Sequence, residues 1–148
     1  MEAAYLRAAT EEDMDLLFEW ANEASVRANS FSASQITYEE HKVWYSRIMS
    51  KKDVGQYIYM YDRQAVGQVR VSVFGTEAEI GYSVCAGMRG MGHGKNMLRL
   101  LYEQMKCDYP KVQKLIAKVK PGNTASQKAF SDTGYTKKYE VYELDIKR

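Results

Sequence analysis

A chain of 148 residues, of which 45% are hydrophobic and 27% charged, can bury a domain-sized core without disulfides or a structural metal. The formal net charge of +2 does not point to nucleic acid or an anionic membrane as a partner, and the two cysteines lie too far apart for a zinc or redox motif. We therefore expect a single domain over residues 1–148 that binds no metal and, because no leader-like or membrane-spanning run is present, is cytoplasmic.

The chain opens with signals for a short strand and a helix. Tyr5 to Arg7 can form the strand. Thr10 and Asp13 then form an approximate capping box, in which a hydroxyl and a carboxylate satisfy free N–H groups at a helix start, and apolar residues at helical spacing continue to about Asn22. Residues 27–35 are rich in Ser and Asn and lack periodicity, so they are predicted to be a loop.

A second capping box precedes a second helix and a series of strands. Thr37 with Glu40 predicts a helix from Tyr38 to about Met49. Beyond it, β-branched and aromatic residues recur in three runs joined by tight turns, which is the pattern of an antiparallel meander. The three predicted strands cover residues 57–61, 65–74 and 77–84.

The second half of the chain alternates helices and strands. A glycine-rich turn leads into a predicted helix over residues 95–106, which Pro110 ends. A strand over residues 112–119 and a short helix over residues 124–131, closed by Gly134, follow. This order predicts an α+β, or mixed α/β, fold with one sheet. An alternating run of residues through Tyr142, Leu144 and Ile146 completes the order of predicted elements.

The densest chemical signal lies in the glycine-rich turn, which follows a strand and opens a helix. N–H groups at a helix N-terminus lack intrahelical partners and, together with the helix dipole, attract anions. Three glycines can take positive φ and let the backbone approach a pyrophosphate, while a cationic side chain stands at each end. The seven residues are Arg89, Gly90, Met91, Gly92, His93, Gly94 and Lys95.

Other phosphate-binding loops fit this turn less well. The nucleoside-triphosphate pattern requires Gly at the position of Arg89 and Ser or Thr at the position of Asn96. The dinucleotide pattern requires a third Gly where Lys95 stands, and it belongs to a parallel rather than an antiparallel strand arrangement. The remaining alternative is a flexible turn that only caps a helix.

The turn and two flanking segments together resemble the GNAT superfamily of N-acetyltransferases. The resemblance lies in the order and spacing of residues 79–84, 89–94 and 123–135, and it covers almost the whole chain. In that family, Arg or Gln followed by Gly-x-Gly-x-Gly or Ala holds the pyrophosphate of CoA. The resemblance implies a central, mixed, splayed β-sheet flanked by helices. Acetyl-CoA, the acetyl donor, would lie between the strand ending at Val84 and the strand beginning near Val112.

The resemblance also implies which residues hold this cofactor. The backbone around Val84 and Cys85 would bond the pantetheine, and residues 89–95 would hold the pyrophosphate. Asn123, with Ser126 beside it, would reach the cofactor from the later loop. A neutral amine would then attack the thioester carbonyl directly in a ternary complex, with a backbone N–H near Val84 stabilising the oxyanion by roughly 3 kcal/mol.

Proton transfer requires two further groups. Glu79 is the first candidate for the general base, because related enzymes often place a carboxylate on this strand; the alternative is an exposed strand carboxylate like Glu77 on the same face. Many relatives protonate the departing thiolate from a Tyr, but that position here is Phe130, which cannot donate a proton. Solvent would replace it, or a nearby tyrosine would, and the tyrosines considered are Tyr135, Tyr139 and Tyr142.

The first half of the chain would select the amine. Three of its segments resemble the GNAT branch that acetylates UDP-linked amino sugars in pseudaminic-acid-type pathways, with Ala21 where that branch often carries Arg. Arg27 and His41 would contact a nucleotide or sugar, and Glu40 would orient the amine. The structural alternatives are Glu40 as half of the capping box and His41 as a partly buried helix residue. The three segments are residues 20–22, residues 26–27, and residues 38–41 with Trp44.

Several classes of function stay open at this point. A protein N-terminus, an antibiotic amine or a polyamine also fits the reaction, although a polyamine would need a more acidic site. Outside catalysis, the alternatives are a non-catalytic acyl-CoA-binding module and a nucleotide-binding domain. For the acetyltransferase we expect a small-molecule amine as partner, no nucleic acid or membrane, and a monomer or a homodimer.

Overall fold

The computed structural model describes residues 4–30 and 34–146, which form a five-stranded sheet with helices on both faces. The strands lie in chain order, β1-β2-β3-β4-β5. They are β1 (Tyr5–Ala8), β2 (Val54–Tyr61), β3 (Gln64–Phe74), β4 (Glu77–Val84) and β5 (Lys114–Ala117). The helices are α1 (Met14–Ala21), α2 (Ala24–Asn29), α3 (Tyr38–Met49), α4 (His93–Asp108) and α5 (Thr124–Asp132).

The first four strands pair antiparallel, which confirms the predicted meander. Two-residue loops connect β2 to β3 and β3 to β4. In the first loop Asp62 and Arg63 both have positive φ (50° and 67°), as a type I′ turn requires, and in the second Gly75 takes φ of 63° at the first central position, as in type II′. Both turn types match the right-handed twist of the strands they join, so the sequence folds back locally at each hairpin.

The last pair of strands is parallel and short. β4 pairs with β5 from Glu77 opposite Lys114 to Ile80 opposite Ala117, while β4 itself continues to Val84. The final residues of β4 therefore have no partner on the β5 side among the described residues, and a gap opens between the two strands. This confirms the predicted mixed, splayed sheet.

Each face of the sheet carries its own hydrophobic core. α4 and α5 cover one face, and α1 and α3 cover the other. Fully buried residues of the first core include Val69, Val71, Met97, Leu98 and Leu101, whereas the second core contains Leu17, Tyr45, Ile48 and Ile58.

Both predicted capping boxes are present. The hydroxyl and carboxylate of Thr10 and Asp13 cap a 3₁₀ turn at Glu11–Asp13 that leads into α1, and Thr37 and Glu40 cap α3. Asp13 is also held by two hydrogen bonds from the Arg7 guanidinium, each 2.8 Å long, which lower the pKa of its carboxyl. The cap thus fixes β1 against the start of α1.

Two of the predicted elements were wrong. Residues 27–29 belong to helix α2 rather than to a loop, because the Glu23 carboxylate accepts a hydrogen bond from the Val26 N–H and caps the helix; residues 31–33 of that predicted loop lie outside the described residues. The alternating run that ends at Ile146 forms no strand within residues 135–146, since no described strand pairs with it, and its apolar side chains stay exposed. None of the described helices has both the length and the apolar content needed to cross a membrane.

Candidate functional site

A cavity of about 1040 Å³ opens where β4 and β5 diverge. One end lies against the glycine turn and the start of α5. The other end extends over the face of the sheet that α1 and α3 cover, and Trp20, His41 and Trp44 form part of its roof. We call the end at the glycine turn the turn end and the end over the sheet the sheet end, because the two differ in chemistry.

At the turn end, the glycines shape the backbone in two ways. Gly90 and Gly92 have φ of 77° and 85°, a conformation that costs an L-residue about 1 to 2 kcal/mol. Gly94 has ordinary φ, so the expectation of positive φ is wrong for it; its Cβ would come within 3.2 Å of the Tyr82 ring, and this close approach explains the glycine. The sequence could not show that contact, because Tyr82 comes from β4.

The start of α4 presents unpaired N–H groups to the cavity. Gly92 occupies the N-cap position without a side-chain cap, and the first helical hydrogen bond runs from the Asn96 N–H to the Gly92 carbonyl oxygen. The N–H groups of His93, Gly94 and Lys95 therefore precede the helical ladder. With the helix dipole they form a site that favours an anion.

The His93 side chain points into the core rather than toward a ligand. Its Nδ1 lies 2.9 Å from the hydroxyl of Tyr59, and its ring packs edge-on against Tyr61. Only the backbone of His93 is available to a ligand, which refines its predicted role in cofactor binding.

The two cationic residues that flank the turn already have carboxylate partners. Arg89 lies 3.2 Å from Glu23, and its Nε donates to the Val84 carbonyl oxygen. Hydrogen bonds from Arg89, from the Ser25 hydroxyl and from the Val26 N–H lower the pKa of the Glu23 carboxyl to about 2. The Lys95 ammonium lies 2.6 Å from Asp132, which also pairs with Lys128 at 3.1 Å. An anion that enters the turn end would compete with Glu23 and Asp132 for these cations.

The end of β4 supplies unpaired backbone groups to the gap. Opposite residues of an antiparallel pair alternate between bonded and non-bonded positions. Because the Cys85 N–H donates to Val66, the N–H groups of Tyr82 and Val84 point away from β3 and into the gap. The Cys85 carbonyl accepts from Met88, so both backbone groups of Cys85 are used inside the protein. Of the two residues predicted to offer backbone groups here, Val84 thus has an N–H that faces the gap and Cys85 does not; the Tyr82 N–H, which was not predicted, faces the gap as well.

A hydrogen bond crosses the gap from β4 to α5. The hydroxyls of Tyr82 and Ser126 are 3.1 Å apart, and the Asn123 side chain accepts from the Ser126 N–H and caps α5. Both predicted residues, Asn123 and Ser126, line the turn end. Burial raises the pKa of Tyr82, which keeps its hydroxyl protonated.

Phe130 packs between two tyrosine rings, at 5.6 Å from Tyr82 and 4.9 Å from Tyr135. The Tyr135 hydroxyl is buried without a hydrogen-bond partner among the described residues, and burial raises its pKa to about 12. Tyr139 and Tyr142 are 84% and 87% exposed and do not line the cavity. Among the tyrosines, Tyr82 is the one whose side chain reaches both the gap and α5, and sequence reasoning missed it.

Polar residues of three neighbouring strands line the sheet end. Gln56 donates to Gln68 at 2.8 Å, and Gln68 donates to Ser83 at 3.1 Å, which ties β2, β3 and β4 together. On the same face, the Glu79 carboxylate lies 3.4 Å from the ammonium of Lys118, on the segment after β5. The structure thus places Glu79 in the wall of the cavity.

The predicted acceptor residues differ in position. Arg27 lines the cavity, and its guanidinium donates to the carbonyl oxygens of Ala21 and Ser34. His41 is buried in the roof, where its Nε2 donates to the Met14 carbonyl oxygen at 2.9 Å. Glu40 does not line the cavity; its carboxylate accepts from the Thr37 N–H and hydroxyl, which lowers its pKa. The capping alternative therefore accounts for Glu40.

The chain matches one known protein family over most of its length. A family model described as the acetyltransferase (GNAT) domain matches residues 4–136. The chain belongs to the GNAT acetyltransferase family. This GNAT domain is therefore an acyltransferase, in agreement with the resemblance of its glycine turn. No curated protein sequence matches the chain.

Solved structures show the same fold for this GNAT domain. The aminoglycoside acetyltransferase AAC(6')-Ib, in complex with paromomycin and acetyl-CoA, has a TM-score of 0.81 and 22% identity over 93% of this chain and 85% of its own. Spermidine N-acetyltransferase from Vibrio cholerae, in complex with CoA and spermine, has a TM-score of 0.85 and 13% identity over 97% and 86%. A domain from Methanocaldococcus jannaschii has a TM-score of 0.83 and 23% identity over 97% and 94%.

Proposed function

We propose that residues 1–148 act as one N-acetyltransferase domain that transfers an acetyl group from acetyl-CoA to a primary amine of a small molecule. The observation that carries the proposal is the gap between β4 and β5, which joins an anion-binding turn at one end to a polar cavity at the other. The similar aminoglycoside and spermidine enzymes, solved with acetyl-CoA or CoA and with amines, support the same two-ligand arrangement.

The cofactor would occupy the turn end. Residues 89–95 would hold the pyrophosphate through the N–H groups at the start of α4, with Arg89 and Lys95 as flanking cations. The positive φ of Gly90 and Gly92 fits such a cradle, because a Cβ would strain both positions. The outward N–H groups of β4 would be shared between the pantetheine and the thioester carbonyl, and Asn123 and Ser126 would contact the cofactor from α5. Acetyl-CoA supplies the activated thioester, and the protein supplies orientation and charge.

The acceptor would reach the thioester from the sheet end, so that both substrates are bound when the amine attacks. The Val84 N–H would stabilise the oxyanion, and Glu79 would take the ammonium proton, directly or through a water. Tyr82 is our candidate for returning a proton to the departing thiolate, because Phe130 cannot donate one. Since a thiol pKa is about 8.5, protonation by solvent would also suffice at neutral pH.

Among amines, we propose an amino sugar linked to a nucleotide as the first acceptor to test. The resemblance of residues 20–22, 26–27 and 38–41, with Trp44, to the UDP-amino-sugar branch supports it, as does the position of Arg27 in the cavity wall. A protein N-terminus or another small amine is the alternative acceptor. We further propose that the enzyme works in the cytoplasm, as a monomer or a homodimer.

Calorimetric titration with acetyl-CoA, with CoA and ATP as comparisons, tests the cofactor site. We expect micromolar binding of acetyl-CoA that Gly92→Trp abolishes. Gly75→Trp is the matched control, because Gly75 also has positive φ but lies in the β3–β4 turn, away from the cavity. Failure of the folded wild type to bind acetyl-CoA would refute the proposal. Binding without turnover of any amine, including UDP-amino sugars, would identify a non-catalytic acyl-CoA module instead.

A further inference from the structure

Arg70 is a cation in the wall of the sheet end. It lies on β3 with its guanidinium 5.0 Å from the centroid of the Trp44 ring, and no described residue forms a hydrogen bond or a salt bridge with it. Burial lowers its pKa and the charge of the nearby Glu79 carboxylate opposes this shift, although arginine stays charged at any physiological pH. A half-buried charge without an oxygen partner is unfavourable unless a ligand supplies that partner.

The other cations of the cavity wall already have oxygen partners. Arg27 bonds backbone carbonyls, and the remaining four lie near carboxylates. These four pairs are Arg89 with Glu23, Lys95 and Lys128 with Asp132, and Lys118 with Glu79. Arg70 is therefore the cation in the described wall that forms neither a hydrogen bond nor a salt bridge, and its N–H donors are left for something that enters the cavity.

The space beside Arg70 is open. Its partner across the β3–β4 ladder is Gly81, where an added Cβ would meet no atom within 4 Å. The guanidinium lies over the Trp44 ring, and its N–H donors lie in the plane of the guanidinium itself. Such a guanidinium can bond both oxygens of a carboxylate or phosphate at once.

We propose that Arg70 binds an oxyanion of the acceptor, so that the substrate is a small amine that also carries a carboxylate or a phosphate. This inference rests on the proposed function and narrows its substrate class. Gly81 precedes Val84 by three residues, so the oxyanion would lie about 10 Å back along β4 from the thioester. The described sheet end holds the carboxylate of Glu79, which is paired with Lys118, and thus lacks the negative charge that a polyamine requires.

Paired acceptors test this assignment. Steady-state acetylation would be measured for glucosamine 6-phosphate against glucosamine, for an amino acid against its amide, and for spermidine. We expect kcat/KM to be at least tenfold higher for the anionic member of one pair than for its neutral member. The pair that shows this preference identifies the bound oxyanion as a phosphate or a carboxylate. Arg70→Gln should remove this preference without changing the affinity for acetyl-CoA. Arg70→Lys, which keeps the charge but loses the planar fork, should retain part of it.

Arg47→Gln is the control variant, because Arg47 is exposed on α3 and does not line the cavity.

If no amine in the set turns over, calorimetric titration of the CoA-saturated protein with inorganic phosphate and with acetate replaces the kinetic readout, and binding should be lost in Arg70→Gln. Equal kcat/KM for charged and neutral acceptors, or anion binding that Arg70→Gln leaves unchanged, would overturn the inference. The proposed function would still stand if the protein bound acetyl-CoA. Failure of the wild type to bind acetyl-CoA would instead refute the proposed function.

Discussion

The hydroxyl of Tyr59 and the Nδ1 of His93 share a hydrogen bond of 2.9 Å that joins the middle of β2 to the first residue of α4. Tyr59 is 0% exposed and His93 is 5% exposed, so this hydrogen bond is shielded from water. Tyr61 packs against the same imidazole. A turn with three glycines is thereby fixed to the sheet by its one buried side chain.

Replacing Tyr59 with Phe should destabilise the protein by about 1 to 3 kcal/mol, because the His93 Nδ1 would stay buried without a partner. Thermal unfolding should show a loss of several degrees in Tm, and acetyl-CoA binding should weaken as the turn loosens. Tyr102→Phe, at an exposed position on α4, is the control and should leave both quantities unchanged. An unaltered Tm in Tyr59→Phe would show that the hydrogen bond contributes nothing.

Gly92→Ala and Gly75→Ala separate backbone strain from ligand binding. Both glycines have positive φ and open space around a Cβ, so each substitution should cost about 1 to 2 kcal/mol of stability. Only Gly92→Ala should also reduce the affinity for acetyl-CoA, because only this residue lies in the turn. Chemical denaturation and calorimetry on the same preparations give the two quantities. Equal losses of affinity in both variants would indicate a general effect of instability.

Glu23→Gln should increase the affinity for acetyl-CoA severalfold. The neutral amide still accepts the Val26 N–H that caps α2, but it no longer competes with the pyrophosphate for Arg89. Glu19→Gln, exposed on α1, removes the same charge without touching Arg89. Isothermal titration of the three proteins at low salt compares them, and a weaker affinity in Glu23→Gln would mean that the carboxylate supports the bound state.

His41 should make the protein less stable as the pH falls below about 6.5, its ordinary pKa. Burial lowers the pKa of folded His41, so the unfolded chain takes up the proton first and gains stability relative to the native state. Above neutral pH the residue is uncharged in both states and contributes no pH dependence. Urea unfolding at pH 7.5 and 5.5 should show a smaller difference for His41→Gln than for the wild type. Equal differences would mean that His41 is not the group responsible.

Local signals predicted the parts of the fold that depend on neighbours in the chain. The capping residues Thr37 and Glu40 placed the start of α3 at the correct residue, since the hydrogen bonds concerned span only three positions. The glycine turn was recognised for the same reason, because backbone freedom and a helix start are properties of consecutive residues. The hairpin at Asp62 and Arg63 required no information from elsewhere in the fold.

Contacts between distant segments could not be predicted in this way. In the sequence, Arg70 is one polar residue of an alternating strand. Its position under Trp44 follows only from the packing of α3 on the sheet. Tyr82 reads as an apolar position on β4, and its bond to Ser126 depends on where α5 lies. The run ending at Ile146 has the period of a strand, but period alone does not supply a partner strand.

The contact between Arg89 and Glu23 joins the two ends of the cavity through one side chain. Glu23 begins α2, the helix that carries Arg27 into the wall of the sheet end. A guanidinium that turns to a pyrophosphate gives up this carboxylate, so the arrival of the cofactor would alter the anchorage of the helix that faces the acceptor.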